Sequence, residues 1–130
     1  MRKTAPQRLA EREARARSEL LDSLFDAWIG QAGNPARQNR LDLVDPRNPD
    51  DVALALKAEI AGPFAELTRE TQTRIRAALT VLANSDGTEF REYWLDLRAP
   101  FGTTEQDADA IFPVVARTFG VKLLDAPAAP

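Results

Sequence analysis

Apolar residues recur along most of this chain about once per helical turn. Leu21, Leu24, Phe25 and Trp28 stand at i, i+3, i+4 and i+7, the spacing that puts side chains on one face of an α-helix. With Leu20 and Ile29 widening that face, the pattern predicts a first helix over about residues 6–29, stopped by Gly30 and Gly33. Its upstream half differs. Between Gln7 and Ser18 only Leu9 and several alanines are apolar. That stretch has the propensity to be helical but little to bury, so it is expected to project from the body, fray, or dock on something else.

The turn signals Asn34-Pro35 and Asp45-Pro46 make residues 31–48 a loop, with Leu41, Leu43 and Val44 expected to pin it to the core. Asn48 as cap, Pro49 at the first helical position and Asp50 and Asp51 at the positive end of the dipole open a second helix. Its inner face is Val52, Ala55, Leu56 and Ile60, and Gly62-Pro63 ends or kinks it. A third helix is predicted over about residues 63–83. Phe64, Leu67, Thr71, Ile75, Ala78, Leu79 and Leu82 form one unbroken stripe there, which makes it the expected centre of the packing.

After Asn84-Ser85-Asp86-Gly87, the spacing of Asp86 and Glu89 fits a capping box. The helix it opens carries Phe90, Tyr93, Trp94 and Leu97 inward. Thr104 and Asp107 repeat that spacing for a fifth helix with Ala108, Ile111, Phe112, Val115, Ala116 and Phe119 on one stripe, Pro113 as a kink or restart, and Gly120 as its close. Val121, Leu123 and Leu124 are expected to fold back as an extended tail. The fold class is therefore all-α, an irregular bundle of about five helices with a long, partly projecting N-terminal helix. Residues 1–130 read as a single helical domain in which 1–18 is basic and projecting or frayed and 125–130 is a frayed tail.

Composition changes this picture mainly by exclusion. The chain has no Cys and no His. Thiolate nucleophiles, disulfides, His-based zinc sites and Ser-His-Asp chemistry are therefore outside the reach of this chain alone. No cofactor is expected, since no phosphate-cradling glycine loop is present. No apolar run is long enough to cross a bilayer and no apolar core follows Met1-Arg2-Lys3, so no membrane contact is expected and the expected location is the cytoplasm.

Charge is uneven. Residues 1–40 hold eight basic and five acidic side chains and the remainder nine and fifteen, within a net charge of −3. Arg8, Arg12 and Arg15 fall at i, i+4 and i+7 and present one guanidinium face, with Arg17 adding to the field. Glu11–Arg15 and Glu13–Arg17 are spaced to neutralise part of it. Among the acids, Asp42, Asp45, Asp50 and Asp51 crowd one loop and helix start, but no cation-binding loop pattern is present. Glu66 with Glu70, and Glu89 with Glu92, share helical faces without any sign of a pocket. The function these features imply is a non-enzymatic protein-binding module: a small inhibitor, antitoxin or immunity-type protein, or a small subunit of a larger assembly. Its acidic body would steer toward a basic target. The alternative is a helical nucleic-acid-binding accessory protein touching phosphates through Arg8, Arg12, Arg15 and Arg17. The oligomeric state is left open.

Overall fold

The computed structural model describes residues 4–30, 43–99 and 101–121. Among them are six α-helices and no strand. The helices are α1 (Ala5–Leu24), α2 (Pro49–Glu59), α3 (Ala61–Glu66), α4 (Arg69–Ala83), α5 (Thr88–Leu97) and α6 (Glu105–Thr118). The all-α reading holds.

Two of the expected helices break where the side chains demand it. α1 ends at Leu24, five residues early. The chain then tightens into one 3-10 turn, Asp26–Trp28, through Phe25 at φ −100° and ψ 20°. Tightening brings Phe25 and Trp28 both to 0% exposure and leaves Ile29 39% exposed, so Ile29 does not widen the buried face. Gly30 at φ 66° provides the stop, and its N–H donates to the Leu97 carbonyl at the end of α5 at 3.1 Å. Gly33, Leu41 and Asp42 lie outside the described residues. Leu43 points into solvent at 87% exposure, while Val44 packs against the core.

The predicted third helix is two helices. As expected, Gly62-Pro63 marks the end of the preceding helix: α2 stops at Glu59, four residues before Pro63, where a proline removes the helical hydrogen bond, and Gly62-Pro63 falls in the first turn of α3. A second break falls at Leu67 and Thr68, both extended (ψ 157° and 155°). There the Thr68 hydroxyl accepts the Thr71 N–H at 3.1 Å and starts α4 anew. The stripe is therefore not continuous, and Leu67 and Thr71 are only half-buried. Glu66 and Glu70, expected on one helical face, stand on different helices, and Glu70 pairs with Arg74 at 2.8 Å.

The other starts follow their chemistry more closely. The Asn48 side chain accepts the Asp50 N–H at 3.0 Å above α2. Thr104 and Asp107 form the expected reciprocal box above α6. Asp86 and Glu89 do not: Gly87, left-handed at φ 89°, is the cap of α5, and Asp86 accepts the Thr88 N–H at 2.9 Å. These hydrogen bonds from Thr88 hold the Asp86 pKa below its ordinary value. Glu89 is thereby released for another partner. α6 continues through Pro113 without restarting. It closes on Gly120 with the Val121 N–H on the Ala116 carbonyl (2.8 Å) and the Gly120 N–H on the Arg117 carbonyl (3.2 Å), the paired bonds of a Schellman motif. Leu123 and Leu124 lie outside the described residues.

α6, not the predicted third helix, holds the packing centre: it lies against α2, α5 and α4, while α1 packs on α4. Ala108 and Ala116, both fully buried, let neighbouring helices approach it closely. The core gathers Phe25, Trp28, Phe90, Trp94 and Phe101 into edge-to-face and offset ring pairs, such as Phe25–Trp94 at 5.5 Å and Trp28–Phe101 at 5.1 Å. The Trp94 Nε1–H donates to the Gly102 carbonyl at 2.8 Å. At the far end, the Arg76 guanidinium covers the Phe64 ring at 5.2 Å and its Nε donates to the Phe119 carbonyl at 3.0 Å.

Candidate functional site

The amino half of α1 is a helix built to its tip. The Thr4 hydroxyl accepts the Gln7 N–H at 3.2 Å, and the Gln7 side chain accepts the Thr4 N–H at 2.8 Å. Two of the unpaired donors of the first turn are thus satisfied. Pro6 sits in that first turn, and the interior is rich in Ala, Arg and Glu, all strong helix formers. Yet every residue from 4 to 13 is exposed, and Ala14 is the first to be even half-covered. Leu9 stands 54% exposed in this stretch. The projecting N-terminal helix expected from the pattern is present.

The four arginines separate. Arg8, Arg12 and Arg15 are all exposed and share one stripe. Arg12 and Arg15 have no ion pair among the described residues. Arg17 turns the other way, since two residues at about 100° each place it roughly opposite Arg15. Its Nε and Nη2 donate to the two oxygens of Glu89 at 2.8 and 2.7 Å. The Glu89 hydrogen bond, then the charges of Glu89 and Glu13, raise the Arg17 pKa against partial burial. Arg17 is a strut between α1 and α5, not part of the outward stripe.

Beside this strut, α1 and α5 enclose an open cleft of about 390 Å³ lined by Ser18, Asp22, Ile29, Glu89, Glu92, Tyr93, Asp96 and Leu97. Glu89, Glu92, Tyr93 and Asp96 follow the i, i+3, i+4, i+7 rule along α5, so the helix shows a carboxylate stripe outward while Phe90, Trp94 and Leu97 fill the core behind it. The Tyr93 hydroxyl donates to Asp22 Oδ1 at 2.9 Å. Burial first, then the Asp22 hydrogen bond and charge, push the tyrosine pKa upward. A cleft of this composition attracts guanidinium and ammonium groups. In the sequence Glu89 and Glu92 stand out only as a pair; Asp96, seven residues from Glu89, is the signal that extends the pair to a stripe.

No three or more carboxylates are grouped to hold a metal ion among the described residues. Asp45 and Asp51 serve the local turn, with Asp45 accepting the Arg47 N–H at 2.9 Å and Asp51 accepting the Asp45 N–H at 3.1 Å. No described helix is long and apolar enough to cross a membrane. Comparison with protein-family models, with curated proteins and with solved structures finds no match to this chain.

Proposed function

We propose that this protein is a non-catalytic, cytoplasmic protein-binding module, of the inhibitor, antitoxin or immunity type or a small subunit of an assembly, with the projecting half of α1 as its recognition element. One observation carries this reading: a helix capped at its tip by Thr4 and Gln7 stays exposed over residues 4–13. Ordering those residues has an entropic cost, and no burial within the described body offsets it. A groove on a partner would supply that burial, in the manner of helix-in-groove recognition. Leu9 supplies an apolar anchor, and Arg8, Arg12 and Arg15 supply steering charge on an adjacent face.

A photoreactive side chain in place of Leu9, activated in the native cell, tests this. The expected product is a nuclease-resistant adduct with a protein, whose yield falls roughly tenfold in the Arg12→Glu/Arg15→Glu variant, the effect of losing about 1.4 kcal/mol of binding. The same exposed guanidinium stripe favours the second reading, binding to nucleic acid. Adducts that vanish on nuclease treatment, with affinity falling steeply as salt rises, would replace the first reading by that one.

A further inference from the structure

Resting on that reading of α1 as a recognition element, we propose that its projecting half also seats in the acidic cleft of a second copy of this chain, so that the unengaged protein self-associates. The two surfaces match in charge and length. Arg12 and Arg15 stand three residues apart on the exposed stripe of α1, and Glu92 and Asp96 stand four apart on α5, beyond the Glu89 that Arg17 holds. Each pair spans about 5 Å at 1.5 Å per residue.

The cleft already shows what it takes. Arg17, from the same helix, seats its guanidinium on Glu89 in a two-bond fork at 2.7 and 2.8 Å. Glu92 and Asp96 continue that stripe away from Arg17 and have no ion pair among the described residues. The chain's own α1 does not reach them with its outward arginines. α1 is one continuous helix from Ala5 to Leu24. Arg15 and Arg12 therefore stay about 10 and 15 Å along the axis from Asp22, and Arg15 lies on the face opposite Arg17. Guanidinium groups from this stripe reach such a cleft only from another molecule. Ile29, 39% exposed, provides an apolar edge against which Leu9 packs.

Light scattering and sedimentation of the full-length chain test this. The wild-type protein is expected to form dimers or short oligomers at low salt. Their dissociation constant should rise at least about tenfold between about 0.05 and 0.5 M salt as the charges are screened. Arg12→Glu/Arg15→Glu and Glu92→Arg/Asp96→Arg are each expected to be monomeric with unchanged helical circular dichroism, and their equimolar mixture is expected to associate, because each acidified helix then meets a basic cleft. A wild-type chain that stays monomeric at low salt overturns self-association without using any variant, as does a mixture of folded variants that stays monomeric. If the chain is monomeric but the Leu9 probe still captures a different protein, self-association fails and the recognition role stands. If the probe captures only second copies, the reverse holds.

Discussion

Gly102 and Gly120 look alike in the sequence, each a glycine beside an apolar residue at the edge of a helix. Both adopt left-handed backbone, at φ 74° and 79°. Their surroundings differ. A Cβ on Gly102 would stand 2.5 Å from Ile111 Cδ1 and 3.1 Å from Trp94 Nε1, whereas one on Gly120 would meet nothing within 4 Å. Gly102→Ala is therefore expected to cost about 2–4 kcal/mol, combining left-handed strain with overpacking against the Trp94–Gly102 hydrogen bond. Gly120→Ala should cost only the strain, about 1–2 kcal/mol. Urea midpoints for the two variants decide this, and equal losses would contradict the assignment of a packing role to Gly102. Leucines carry the same lesson. Leu41, Leu43 and Val44 read as pins for the loop, yet Leu43 is 87% exposed while Val44 packs on the core, because composition near a loop does not say which side of the chain meets the body.

At the scale of the element, helix starts were legible at Asn48-Pro49 and Thr104–Asp107, where the cap and its first turn sit together, whereas Asp86–Glu89 has the spacing and Gly87 is the cap. The starts at Thr68 and Thr4 were present as Thr-x-x-Thr and Thr-x-x-Gln. The first lay inside an apolar stripe that ran through it, and a stripe with helical period does not register one extended break. Two caps of the same type then have opposite consequences. Thr68 joins α3 and α4 within the packed body, so Thr68→Ala is expected to lower global stability by about 1 kcal/mol. Thr4 caps a stretch that stays exposed from residue 4 to residue 13. Thr4→Ala should leave the urea midpoint within about 0.5 kcal/mol of wild type while amide exchange speeds up over the first turns of α1. Global destabilisation by Thr4→Ala would show that the tip packs on the body after all.

For the molecule as a whole, α1 is joined to α5 by two polar links on the flank of an aromatic core: Arg17 to Glu89, and Tyr93 to Asp22. The tyrosine link is pH-sensitive in a stated direction. Folding raises the Tyr93 pKa above its ordinary 10.0, through burial first and Asp22 second, so the folded state favours the protonated ring. That contribution to stability is complete below pH 10.0 and is lost as the pH climbs above it toward the raised value. Tyr93 is the single tyrosine, so phenolate absorbance reports on it alone. It is expected to appear together with the loss of helical circular dichroism in alkali. Tyr93→Phe should flatten the alkaline fall in stability. Phenolate absorbance rising while the helices remain intact would contradict the link.

The sequence alone determined the class of the fold, most of its inner faces and the exposed basic half of α1, because helical periodicity and cap chemistry act between residues three or four apart. Tertiary structure alone decided that Arg17 meets Glu89, that α6 rather than the third stripe is central, and that Glu89, Glu92 and Asp96 share a cleft with Asp22. Those outcomes depend on which helix lies beside which, and Arg17 and Glu89 are 72 residues apart in the chain. No local spacing carries that information; the joint burial of Phe25, Trp28 and Trp94, which brings α1 against α5, does.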